Sequence, residues 1–242
     1  MKKNLKEKLH YESKFEYSKG IIRTPEKWKN YFWAAYYKKI LSSLRSKITK
    51  YNRVVFIGIG YGDIVPSLQF EDRIKIIGID VNFNSLLSAK EHTSVIMADG
   101  SCLPLKSNNV DLVVCNQVLH HIIGQGTLDA TINECHRILK CGGEFIAVEP
   151  NSMHPSGALI NIANRFHKYH FLTGGSDHEF AISPFHIFRV LRNNGFSILK
   201  SSAVTFSHPR FPLFIQKIIN VLDNKLSRFY MGGLINLYIA VK

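Results

Sequence analysis

The sequence predicts an α/β fold: a doubly wound, mainly parallel sheet with helices on both faces. Three observations carry this reading. Short apolar runs bounded by turn residues recur through the middle of the chain, at Val54–Ile57, Ile74–Ile79, Ser94–Met97, Leu112–Cys115 and Glu144–Val148. Segments suited to helices lie between them, and strands alternating with helices imply βαβ units. The runs are rich in Val and Ile with few polar breaks, as strands covered on both faces are. Right-handed crossovers then restrict the topology to a doubly wound sheet, whose ligands bind beyond the carboxyl ends of the strands.

In chain order, the first 50 residues read as helical. From Trp28, the positions Tyr31, Phe32, Ala35, Ile40, Leu44 and Ile48 recur at helical spacing with lysines between them. Thr24 followed by Pro25 suits a helix start. Val54–Ile57 enters a glycine turn that a helix is expected to follow, and Asn84–Glu91 and Leu128–Leu139 are the next helices. After Pro150 the pattern loosens, with Thr173-Gly-Gly-Ser176 as a loop. Ser183-Pro184 opens a helix that stops at Asn194-Gly195, and Phe196–Phe206 looks extended. Phe211–Phe229 is amphipathic, and Leu234–Val241 reads as a closing strand. The boundaries that follow are an N-terminal helical cap at 1–50, a ligand-binding core at 51–151, and an acceptor-side insertion with completion of the sheet at 152–242.

The 242 residues are 45% hydrophobic and 20% charged, which excludes a disordered or fibrous chain. No apolar run reaches the ~18 residues that a membrane-spanning helix needs, and the lysine-rich start leads into no apolar stretch. A cytoplasmic, reducing setting is expected. Cys102, Cys115, Cys135 and Cys141 match no zinc-site spacing, and no HExxH occurs, so no metal is expected. The net charge of +13 is unevenly spread. Residues 1–50 hold 14 Lys and Arg against 4 Asp and Glu, residues 51–150 hold 7 against 11, and residues 151–242 hold 10 against 3. Basic flanks suit an anionic substrate, an acidic membrane surface or RNA, or are simply a solvated surface.

The chemistry gathers at the strand ends. In Val54-Val-Phe-Ile-Gly58-Ile-Gly60-Tyr-Gly62-Asp63, glycines two apart remove side chains that would block a ligand across the strand end. A dinucleotide GxGxxG starting at Gly58 would need glycine at 63, where Asp63 stands, so a nicotinamide enzyme is disfavoured. Asp80 closes Ile76-Ile-Gly-Ile-Asp80, 22 residues beyond Gly58, where a carboxylate can accept both hydroxyls of a ribose. Asp99 and Gly100 follow the third run, and an acceptor there can take a hydrogen bond from a base amine. Asn116 ends the fourth run. His120 lies four positions on, so a helical turn would put the two on one face.

Those pieces, in that order, resemble the class I S-adenosylmethionine-dependent methyltransferases, in particular the methyltransferase type 11 group. The resemblance runs from about Arg53 to Asn151, through VVFIGIGYGD, IIGIDVN, MADGSCLPLKSNNVDLVVCNQVLHHI and ECHRILKCGGEFIAVEPN. It implies a seven-stranded sheet with an antiparallel last strand and S-adenosyl-L-methionine as cofactor. Gly58, Gly60 and Gly62 would line its methionine part, Asp80 would bind the ribose and Asp99, beside Gly100, the adenine amine. Asn116 would border the methyl-transfer pocket. His120 and His121 are the candidate bases, with packing as their other reading. One departure is clear: the family's usual acid two residues before the first glycine is Phe56 here, and Asp63 is the candidate replacement.

The acceptor is expected to be a small molecule, a lipid precursor or a glycan intermediate. Its determinants would come from the aromatics Tyr11, Tyr17, Trp28, Tyr31, Trp33, Tyr36 and Tyr37, and from His154, His170, Asp177, His178, Glu179 and His186. A cofactor-binding module with little catalysis and an RNA methyltransferase are the alternatives, although no separate RNA-binding motif appears. Peripheral membrane contact turns on the Phe211–Phe229 helix, which is expected to bury its apolar face on its own sheet.

Overall fold

The computed structural model describes residues 25–68, 73–166 and 179–242. Tyr11, Tyr17, Thr24, His170, the 173–176 loop, Asp177 and His178 lie outside those residues. Among the described residues the chain forms seven strands, β1 (Arg53–Ile57), β2 (Lys75–Asp80), β3 (Ser94–Met97), β4 (Val110–Asn116), β5 (Leu139–Pro150), β6 (Ser197–Thr205) and β7 (Ile235–Val241). They lie side by side in the order β3-β2-β1-β4-β5-β7-β6. All neighbours are parallel except at β7, which runs antiparallel to both β5 and β6. The order turns back between β1 and β4, so the crevice at the top of those two strands is where a ligand is expected.

Seven helices accompany the sheet among the described residues: α1 (Glu26–Ile48), α2 (Phe83–Ala89), α3 (Leu119–Ile122), α4 (Leu128–Ile138), α5 (Pro155–Asn164), α6 (Pro184–Asn193) and α7 (Leu213–Leu226). Two separate apolar clusters form. Phe32, Ile40, Leu44 and Ile48 of α1 and Leu86 of α2 join inward residues of β1, β4 and β5 in one. Leu128, Ile132 and Ile138 of α4 and Ile187 and Val190 of α6 join the opposite residues of the same strands in the other. Helices on both faces explain why the central strands read as unbroken Val/Ile runs. The buried stripe of α1 includes Tyr36, absent from the apolar positions expected of it.

Local signals account for most boundaries. Ser183 caps α6 by accepting from the His186 amide, and Gly195, at φ +85°, stops it. Asn82 caps α2, accepting from the Asn84 and Ser85 amides, so Asp80 is not the cap of that helix. Three expectations need correction. No α-helix follows the glycine turn among the described residues; a single 3₁₀ turn, Pro66–Leu68, stands there, because the loop closes on itself through Gly62 and Val65 instead of entering a helical ladder. β5 is far longer than Glu144–Val148: Gly142, at φ +76°, carries the backbone through an irregularity that looked like a turn. α5 was not expected. It buries little beyond Gly157 and Asn164, so it has no core-facing period, and its cap is the His154 ring accepting from the Ser156 amide.

Candidate active site

The site grows out of the β1–β4 crevice. After β1 the backbone turns left-handed at Gly58, Gly60 and Gly62, with φ +67°, +57° and +79°. The three glycines serve different ends. A methyl group on Gly62 would lie 2.9 Å from the Ala89 backbone, so that glycine lets α2 pack against the loop. A methyl group on Gly60 would meet nothing within 4 Å, so this glycine borders open space. The Asp80 carboxylate holds the loop in place: Oδ2 accepts from the Gly60 amide at 2.9 Å while Oδ1 accepts from the Asn82 amide at 2.9 Å.

Asp99 sits one strand further out. Its Oδ1 accepts from both the amide and the hydroxyl of Ser101, each at 2.9 Å, which tightens the turn after β3. The loop that follows is tied to α4. Glu134 accepts from the Leu103 amide, and Arg137 donates to the Leu103 and Leu105 carbonyls. Arg137 also holds the Glu134 carboxyl below its ordinary range. These charge-assisted bonds fix the loop that carries Asp99 and Gly100.

One cavity of about 290 Å³ joins these groups: Gly58, Gly60, Asp80, Asp99 and Gly100 line it together with His121. Ile79, Val81, Ala98, Val118 and Ile122 supply apolar walls. A second cavity, about 390 Å³, opens beside it and shares Gly58, Gly60, Tyr61, Gln117 and His121. Its further walls are Trp33, Tyr36 and Tyr37 of α1, with Phe56, Gly62, Asp63, Asn116 and His120. The two carboxylates and the glycine loop thus share one space, while Gly62, Asn116 and His120 border the other. Phe56 is itself core, 2% exposed, and the carboxylate on this second cavity is that of Asp63.

The wall between the cavities is polar and strained. Gln117 directly follows β4 at φ +60°, a conformation that non-glycine residues hold only where the surroundings enforce it. It therefore breaks the helical turn that would have put Asn116 and His120 on one face; Asn116 belongs to the strand end. The Tyr36 hydroxyl donates to Asn116 Oδ1 at 2.6 Å and accepts from Gln117 Nε2 at 3.4 Å. Burial pushes its phenol far above the usual tyrosine range, so it stays a neutral donor.

Both histidines are held by carboxylates. Glu149, 1% exposed, accepts from the amides of Val118, Leu119 and His120 at 2.9, 2.8 and 3.3 Å, satisfying the first amides of α3. It also meets His120 Nδ1 at 2.8 Å. His121 Nδ1 lies 3.1 Å from Glu179. An ionised carboxylate only accepts, so each pairing draws the imidazole proton to Nδ1 and leaves Nε2 as the basic nitrogen. Sequence reasoning missed Glu149 and Gln117. A lone acid ending the apolar run FIAVEP was the signal for the first. The other expected acceptor-side groups are elsewhere: His154 caps α5, and His186 lies on α6. Among the described residues no group of three His, Cys, Asp or Glu is placed to hold a metal. Cys115 and Cys135 are buried against each other's thiols, and Cys102 and Cys141 are exposed.

Residues 55–147 match the family model described as methyltransferase domain. An uncharacterized protein of Methanocaldococcus jannaschii is 33% identical over 163 residues, 64% of this chain and 63% of its own length. A probable S-adenosylmethionine-dependent methyltransferase of Mycolicibacterium smegmatis is 30% identical over 114 residues, 46% of this chain and 42% of its own. The chain therefore spans less than two thirds of either relative. Among solved structures, a SAM-dependent methyltransferase of Thermotoga maritima, described as a possible histamine N-methyltransferase, shares the fold with a TM-score of 0.69 at 19% identity. That match covers 88% of this chain and 94% of the other. Residues 55–147 are thus similar to a methyltransferase domain, and the chain, with its strand order and glycine turn, shares the fold of a SAM-dependent methyltransferase.

Proposed function

We propose that this protein transfers a methyl group from S-adenosyl-L-methionine to a small acceptor held in the aromatic cavity. The observation that carries the reading is the single cavity bordered by Gly60, Asp80 and Asp99, beside a second one that shares its Gln117 and His121 wall. The residues fit the cofactor. Asp80 and Asp99 offer acceptor oxygens suited to ribose hydroxyls and a base amine, the bare Gly60 leaves room against the loop, and apolar walls suit a flat base. When bound, the cofactor supplies an activated methyl group on a sulfonium. Asp63 faces the second cavity in place of the acid that Phe56 lacks.

The chain's own contribution is placement and proton removal. Holding an acceptor in line behind the transferred group supplies up to about 7–11 kcal/mol of the barrier in ideal systems. Tyr36, Asn116 and Gln117 form a linked polar edge against which an acceptor hydroxyl or amine is oriented. His121, the histidine on both cavities, takes the acceptor proton, with Glu179 holding its ring; His120 is buttressed by Glu149. In this reading the 1–50 segment, through α1, caps the acceptor, 51–151 is the cofactor core, and 152–242 supplies the acceptor-side insertion and, through β6 and β7, completes the sheet.

Calorimetric titration with S-adenosylmethionine and S-adenosylhomocysteine tests the first half. Saturable binding that Asp80→Asn weakens is expected, and no binding of either would overturn the reading. Mass spectrometry of metabolites and lipids with and without the protein then finds an acceptor heavier by one CH₂ unit. The buried Phe56 favours a second reading, a module that binds the cofactor and methylates nothing. Binding with an unchanged metabolite and lipid profile would support it.

A further inference from the structure

We infer that α7, with the outward apolar side chains of α5, is a docking surface for an anionic lipid bilayer. α7 is turned outside in. Its deeply buried side chains are polar, Gln216 at 0% and Asp223 at 2% exposure, while Phe214, Ile218, Val221 and Leu222 stand at 65, 57, 72 and 41%. Phe214, Ile218, Val221 and Lys225 recur at i, i+4, i+7 and i+11, one stripe along the helix. A surface helix of a globular protein orients the other way, polar face outward. The expectation that this segment packs its apolar face on its own sheet is therefore corrected.

The reversal is built in by specific bonds. Asp223 accepts from the Thr205 hydroxyl and the Phe206 amide and pairs with Lys39 of α1. Gln216 donates to the Phe211 carbonyl, and Asn220 to the Tyr31 hydroxyl. These bonds fix which face of α7 looks out. Ahead of α7, the His154 ring that caps α5 hydrogen-bonds the Phe206 backbone, just past the end of β6. α5 also turns apolar side chains outward, Leu159 at 66% and Ile162 at 56%.

The charges around this face choose the occupant. Asp223 is the one acid between residues 180 and 242, and it is buried and paired with Lys39. Residues 150–166 hold none. Lys217, Lys225 and Arg228, all exposed, flank the apolar stripe. Exposed Phe, Ile and Val bordered by cations, with no exposed carboxylate in either of those segments, match a bilayer interface carrying anionic headgroups. The surface abuts α1, whose Trp33, Tyr36 and Tyr37 wall the second cavity, but its assignment does not depend on methyl transfer.

Flotation of the full chain with vesicles tests the inference. Binding is expected to vesicles of phosphatidylcholine with phosphatidylglycerol, not to phosphatidylcholine alone, and to weaken as salt rises. Ile218→Asp with Val221→Asp should abolish flotation while leaving the circular-dichroism melt unchanged, since both side chains are exposed. Lys217→Gln and Lys225→Gln should each lower vesicle affinity about fivefold. Wild-type flotation that survives the double aspartate variant would overturn the inference. So would absence of flotation, including the case in which sedimentation velocity finds a dimer that the aspartates dissociate, since a second copy would then own the face.

Discussion

Asp80 is the residue on which the proposed cofactor binding and the loop structure meet. One oxygen already holds the Gly60 amide, so its carboxylate both shapes the loop and faces the cavity. Asp80→Asn is expected to weaken S-adenosylhomocysteine binding about ten- to a hundredfold, the worth of a hydrogen bond to a charged group, read by calorimetry. His121→Asn is expected to cut kcat about a hundredfold or more with KM little changed, because it removes a base while keeping a polar side chain in the cavity wall. A merely packed histidine would leave the pH profile of kcat unmoved in that variant. Gly58, Gly60, Asp80 and Asp99 were legible because an apolar run ending in a small or acidic residue marks a strand's carboxyl end. Gln117 was not legible: its left-handed backbone is imposed by its neighbours, and no local rule assigns that conformation to glutamine.

At the scale of elements, α1 and α7 depend on each other. Leu44, fully buried, anchors α1 to the sheet, and Leu44→Ala is expected to cost about 2–5 kcal/mol in urea unfolding. Asp223→Ala leaves Lys39, Thr205 and the Phe206 amide without their acceptor, and a loss of about 3 kcal/mol is expected in the same measurement. The amphipathic pattern of α7 was plain in its sequence, but a periodicity states only that two faces differ. Which face turns inward was decided by the polar groups of β6 and α1 that Asp223 and Asn220 satisfy. α5 escaped notice for a related reason: an apolar side chain that points outward leaves no core-facing stripe to read.

For the whole molecule, buried and partly buried histidines contribute to the acid limit. Burial, with the charge of Arg210 and the proximity of His154, pushes His208 down to about 4. His136, His154 and His186 are lowered in the same direction, burial again the largest cause. The unfolded chain then binds more protons than the native one below about pH 6.5, so stability falls as pH drops from there through about 4. Comparing urea unfolding near neutrality and near pH 4, His208→Asn is expected to lose about 2 kcal/mol less than the parent chain. Thermal unfolding offers a second whole-molecule readout, rising with S-adenosylhomocysteine as binding to the native state alone requires.

The order of apolar runs, glycines and acids along this chain was enough to determine a doubly wound sheet and the end of it at which the two cavities open. Those features are local, since strand periodicity and a glycine's freedom need no distant partner. Tertiary structure alone decided that the Asp63 carboxylate faces the cavity beside Phe56, that Glu149 and Glu179 hold the two histidines, and that α7 faces outward with its apolar side. Each of those outcomes joins groups far apart in sequence, and only the packing that brings them together sets the distances at which their charges and hydrogen bonds act.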